Sequence, residues 1–543
     1  MKFLCFLFAV VESKLFSLEW KVQSKWMAPD NHAVPGMTIN GQFPGPGITL
    51  EVGDTVEINV INEIDHPLTI HWHGLLQKAS PAADGVPFVT QDSIKSNNSY
   101  VYRFTVENQT GTYWYHAHTK MDSDFIFGSL VVKEPKFIID KAIQLDSRFK
   151  YDEERVILLS NIWHKPIDEI YNGFISNPYV GLDAPQSILT NGATFDEWTQ
   201  PANSTLPFNA GYSVINVKPS TRYRLRVIAS QSKLYYALHI PDHKFTVIEA
   251  DGTFVKPFES DFVYINSGMR YSVIIETKDT PQNVYIHTSI VGEGNEVNNG
   301  VAILHYDGAP DPTPLRKKKH IPTNKNLHIS SWFEDQLSTL FTQEYPVPDT
   351  VNQSLLFKKQ FYNDSGKYIF HINDAYFPGS TTTLLPSVMN RTWRPEPGVY
   401  QIESNNQGVQ LVIQSFALDN HYCVSHPWHV HGHSFYVVAR GSGVYDPKTH
   451  DAYIESQLSK DPIIRDTFTF FPYDVPTTKD NTKLPTASGD PKDPKVHACG
   501  WSAIRFKANN PGSWLVHCHY SHHMAMGMQF VLNELPQKPL SQP

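Results

Sequence analysis

The chain has 543 residues, room for about three or four domains at roughly 150 residues each, and its 41% hydrophobic and 13% aromatic content supports packed cores. Thirty-nine prolines and 30 glycines favour a turn-rich all-β chain over helical architecture. The net charge is −9 and the only dense basic run is Arg316 to Lys319, so nucleic acid is not an expected partner.

In chain order, Met1 and Lys2 precede an apolar run over residues 3–11. This reads as a signal peptide of about residues 1–15, with cleavage expected between Val11 and Ser17. The run is too short to span a bilayer, and no other stretch is long and apolar enough to do so, so the expectation is a secreted chain without a membrane partner. Sequons at Asn97, Asn108, Asn203, Asn352, Asn363 and Asn390 fit that compartment. A first unit, residues 16–135, holds strand-like runs at 55–60 and 100–106. Each run precedes a His-x-His pair, His71/His73 and His116/His118. A second unit, residues 136–320, has β-rich runs at 155–160, 223–228 and 271–275 and no histidine pair of this kind. It closes in a Pro- and Lys-rich linker near 307–326. The third unit, residues 321–543, carries His429/His431 and His517/His519, the second pair wrapped around Cys518.

Side chains alternate faces along a strand, so His517 and His519 point one way and Cys518 the other. One strand could then serve two metal sites. A cysteine with two histidines and a distant methionine is the ligand set of a blue copper site, and His523 and Met528 follow Cys518. His426 is available as the second histidine. His433 and His522 read as supporting or surface histidines. Cys5 leaves with the signal peptide, so Cys423 and Cys499 remain as thiols that could pair in an oxidising compartment.

These motifs, in this order, resemble those of the blue multicopper oxidases, closest to the ascorbate oxidases and laccase-like enzymes. The resemblance runs from the segment Ile39 to Pro46 through to Met528. It implies three cupredoxin-like Greek-key β-sandwich domains and four copper ions per chain. His71 and His429 would hold a type 2 copper. His73, His116, His118, His431, His517 and His519 would hold a type 3 pair. His426, Cys518 and His523 would hold type 1 copper, with Met528 axial. Asp84, in an Asp-Gly pair after the first motif, matches a proton-delivering acid. The second acid of the family is replaced by Ser521, and a cysteine that usually follows Gln91 is replaced by Asp92.

The partners implied are a small-molecule reducing substrate and dioxygen. Met528 as axial ligand suits easily oxidised donors such as ascorbate or electron-rich phenols. The loop 184–192 resembles the ascorbate-oxidase version and lacks the laccase acid near Gln186. Trp163 matches a tryptophan at the substrate mouth, and Phe370 takes the place of a second. A ferroxidase is the alternative. Lys165 and Pro166 stand after His164 where such enzymes place a carboxylate.

Overall fold

Strand Thr55–Asn62 alternates half-buried and buried residues along its length, the pattern of a strand with one face on a core. It pairs in parallel with Leu15–Met27, the first strand of the chain. The sheet runs Val34–Ile39, Leu15–Met27, Thr55–Asn62, Ser99–Thr105. A second sheet, Ile48–Glu51, Phe127–Lys133, Gly111–Ala117, Ile70–His73, closes over the same core. The same device recurs twice. Glu153–Ile162 pairs in parallel with Arg222–Ala229, and Gln353–Asp364 with Gln407–Leu418, each inside a six-stranded sheet backed by a five-stranded one. The protein is thus three cupredoxin-like β-sandwiches. The computed structural model describes residues 13–180, 184–194, 212–292, 300–312, 329–341, 346–364, 366–418, 423–472 and 496–538. The apolar start, Arg316 to Lys319 and Asn203 lie outside the described residues.

The apolar core of the middle sandwich continues without a break into that of the third. Cys423 and Cys499 form a disulfide with Cα atoms 5.5 Å apart. Around Asp92, hydrogen bonds join the first and third units: Thr383 donates to Asp92, and Leu385 N donates to Val89 O at 2.9 Å. No helix among the described residues is long and apolar enough to cross a membrane.

Candidate metal centre

Alternation sorts the histidines. In strand Ile70–His73, Trp72 is buried against Trp20 and Phe104, which sends His71 and His73 to the opposite face. This strand lies antiparallel to Gly111–Ala117, with His71 opposite His116. In the third unit, His426–Val430 lies against Gly512–Cys518, with His429 opposite His517 and Trp428 opposite Cys518. His426 and Trp428 share one face of their strand, and His429 takes the other.

The two histidine faces meet between the first and third units. His73, His116 and His519 bring ligand nitrogens within 4.8 Å of one another, and so do His118, His431 and His517. His71 and His429 complete the cluster, grouped with His73. The six expected type 3 histidines thus divide into two triads, each drawing on both units.

Hydrogen bonds fix which nitrogen of each ring is offered. A carbonyl only accepts, so His71 Nδ1 donates to Asp84 O at 2.7 Å and His429 Nδ1 donates to Asp466 O at 2.7 Å. His116 and His517 likewise donate from Nδ1 to the carbonyls of Ala117 and Cys518. His431 Nδ1 donates to Asp84 Oδ2 at 2.9 Å. Ser267 donates to Gln231 O, so its oxygen accepts from His519 Nδ1 at 2.9 Å. Each of these rings therefore turns an Nε2 lone pair inward. His73 is reversed: its Nε2 donates to Asp466 Oδ1 at 3.2 Å, and Nδ1 is left free.

The resulting contacts fit metal. His431 Nε2 faces His517 Nε2 at 3.1 Å, and His73 Nδ1 faces His519 Nε2 at 3.2 Å. Lone pairs facing each other at that distance repel unless a cation lies against both. Nε2 of His71, His116, His118 and His429 is buried without a hydrogen-bond partner. Burial and the neighbouring imidazoles push His73, His116, His118, His429, His431 and His519 well below the usual histidine range, and burial pushes His517 to about 4. These rings are neutral at physiological pH, the form that binds metal.

The second site lies on the other side of Cys518. Its Sγ is 3.5 Å from His523 Nδ1 and 3.9 Å from His426 Nδ1, and those two nitrogens are 3.3 Å apart. Met528 is held close by its backbone: Cys518 N donates to Met528 O at 3.0 Å, and Met528 N donates to His523 O at 2.9 Å. Burial raises the Cys518 thiol above its usual range, so metal entering here displaces a proton. His426, Cys518 and Met528 are buried, whereas His523 is partly exposed.

The middle unit supplies none of these ligands but reaches the cluster. Gly268, at φ +84°, approaches so closely that a Cβ there would stand 2.8 Å from the His519 ring and 3.0 Å from His73. Arg270 donates twice to Asp466 at 2.6 Å and once to Thr112 O at 3.0 Å, touching all three units. Arg270→Met leaves the buried Asp466 carboxylate without its counter-ion. The expected result is a loss of about 3–5 kcal/mol of stability, read by thermal melting, with copper per chain falling as His73 and His429 lose their anchor.

Two expected positions differ in surroundings. Trp163 does not line an open mouth. It is 1% exposed, packs with Met121, Ile170 and Phe174 beneath helix Ile167–Ile175, and donates from Nε1 to Asp124 at 2.8 Å. The amphipathic helix that covers it was not read from the sequence. Phe370 lies edge-on to His523 with ring centroids 5.3 Å apart. His433 is a supporting histidine, 3.2 Å from His431 O and 2.8 Å from Glu534. His522 is buried against His523 at 4.1 Å. Ser521 borders a small cavity shared with His116, His118, His517, His519 and Ser123. Asp466, Arg270 and Ser267 carry no local motif that singles them out.

Comparison with known proteins agrees with this geometry. Three multicopper oxidase family models match residues 21–136, 153–309, and 362–478 with 493–538. L-ascorbate oxidase of Cucurbita maxima is 30% identical over 97% of this chain and 91% of its own. Laccase-2 of Fomitopsis schrenkii is 29% identical over 95% of this chain and 89% of its own. Among solved structures, a point mutant of the laccase from B. aclada superposes with a TM-score of 0.76 at 26% identity, covering 96% of this chain and 88% of that one. Fet3p, described as a multicopper oxidase that functions in iron import, gives 0.73 at 24% identity over 96% and 90%. The chain belongs to the multicopper oxidase family. It is a copper-dependent oxidoreductase with dioxygen as acceptor, built for type 1, type 2 and type 3 copper.

Proposed function

We propose that this oxidase takes single electrons from small organic reductants of the ascorbate or electron-rich phenol type and passes them to dioxygen, which leaves as water. The observation that carries the reading is the setting of His523. It alone among the three nitrogen and sulfur ligands of the Cys518 site is partly exposed, so donors approach there. Bound copper supplies the one-electron chemistry. Cys518 joins the donor side to His517 and His519 through the backbone alone. Asp84, bonded to rings of both units, is the proposed acid that holds and gives protons on the dioxygen side.

A ferroxidase needs carboxylates at the donor side. Lys165 and Pro166 follow His164 where such enzymes place a carboxylate, which disfavours ferrous iron. We further propose that the chain is secreted, a reading supported by its disulfide, its sequons and its apolar start. Initial rates of the copper-loaded protein with ascorbate, a diphenol and ferrous iron test the donor. Turnover is expected with at least one organic donor and at a higher rate than with ferrous iron. A clear preference for ferrous iron overturns the reading.

A further inference from the structure

A further group of metal-type donors lies outside both candidate copper sites. Cys423, His497 and Cys499 place one donor atom each, two sulfurs and a ring nitrogen, within 4.8 Å of one another. His497 Nε2 is 3.5 Å from Cys423 Sγ. Donors that hold one metal ion at about 2.0–2.3 Å stand about 3–4 Å apart, so small shifts close this set around an ion. The two sulfurs are joined here as a disulfide. The chain is nevertheless synthesised with both as thiols, and the disulfide follows only in an oxidising compartment.

Two features of the fold build this group. Strand Gln407–Leu418 pairs with Val496–Ala508 in a register that passes from Ser415 opposite Gly500 to Phe416 opposite Ala498. Cys499 is the extra residue of that bulge, and a bulge re-aims the side chain it carries. Cys423 comes from the segment that leads into strand His426–Val430, three residues before His426. Cys423 and Cys499 are 5% and 1% exposed, whereas His497 is half-buried, so the imidazole is the donor that solvent reaches. An imidazole beside a thiol favours the thiolate, the form that binds metal. Two thiolates and an imidazole are a soft set that selects a cuprous ion. A structural zinc site takes four donors, and this group offers three.

We propose that Cys423, His497 and Cys499, before the disulfide closes, hold one cuprous ion and give it up when the disulfide forms. On binding, Cu(I) takes the place of the two thiol protons, which pass to solvent. Release is thiol–disulfide exchange. The two thiolates lose two electrons as they join to each other. A small-molecule disulfide takes those electrons and two protons and becomes two thiols, and the copper leaves still cuprous. The ion is freed three residues along the chain from His426, a ligand proposed for type 1 copper.

The test starts from copper-loaded protein under argon. In one portion, ascorbate makes the bound copper cuprous and leaves the disulfide intact. In the other, a water-soluble phosphine reduces both and is removed by gel filtration. Each portion then receives Cu(I) buffered by bicinchoninate and is freed of excess on a second column. The phosphine-treated parent is expected to hold about five coppers per chain against about four in the ascorbate-treated parent. Its Cys423 and Cys499 should resist alkylation by iodoacetamide. Oxidised glutathione should restore the disulfide and release about one Cu(I) per chain. The double variant Cys423→Ser/Cys499→Ser should show no gain of copper on phosphine treatment. An equal copper count in the two portions of the parent overturns the proposal. So does an added ion that the double variant still binds, or one that stays bound after the disulfide has re-formed.

Discussion

Cys518→Ser is expected to abolish the blue absorbance and the oxidase activity together while most of the copper stays bound. The reason lies in the division of ligands across one strand. Cys518 Sγ faces His426 and His523, and its neighbours His517 and His519 face the other way into the histidine cluster. A serine oxygen is a poor match for the thiolate that gives blue copper its charge-transfer band. The same change removes the sulfur that would tie copper held by His426 and His523 to the strand carrying His517 and His519. Copper analysis should fall from about four to about three per chain, because the cluster histidines keep the hydrogen bonds that orient them, four to backbone carbonyls and others to Asp84, Ser267 and Asp466. Strong blue absorbance in the variant, or loss of all copper, would falsify the two-faced assignment of this strand.

Asp84→Asn should leave copper content and reduction by donor intact yet slow reoxidation by dioxygen by about 10²–10⁴, the range for a lost general acid. Asp84 is fully buried, and it touches a ligand from each unit: its carbonyl accepts from His71 and its Oδ2 from His431. Asparagine keeps the carbonyl and can still accept from His431, so the ligand geometry survives while the carboxylate does not. Ser521 stands in the cavity beside His118 and His517 where a second acid would otherwise help, which concentrates the burden on Asp84. Ser521→Glu in the Asp84→Asn background should recover part of the rate. Stopped-flow return of the blue band in fully reduced enzyme measures both. Reoxidation of Asp84→Asn at the parent rate would reduce Asp84 to a turn residue that orients two rings.

The residues that the structure gathers into the two candidate copper sites were legible in the sequence because strand periodicity is local. Four His-x-His pairs each state their own face, and Cys518 between two of them states that the strand has two tasks. The β-sandwich class was legible for the same reason, as in Thr55–Asn62. What the sequence does not display is contact across hundreds of residues. Arg270 and Asp466 are ordinary residues in ordinary strands until three units dock around them. Trp163 was placed at a mouth by likeness to relatives, but the helix that follows buries it and gives its indole nitrogen to Asp124. The division of the six histidines expected at the type 3 pair into triads also needed geometry, since it depends on which strand ends meet across the interface.

The distance along the chain between cooperating ligands dictates an order of assembly. His73 and His519, whose nitrogens lie 3.2 Å apart, are 446 residues from each other in sequence. During synthesis from the N-terminus, the first sandwich must present His71, His73, His116 and His118 as bare imidazoles until the last strands arrive. Those four face the place later filled by the third unit, and Gly268 and Arg270 fit only after the middle one is docked. The ligands proposed for type 1 copper, by contrast, all belong to the final sandwich and close as a local event. The eight-histidine cluster is therefore incomplete on the nascent chain, and copper loading there is a late step that finds the three sandwiches already in place.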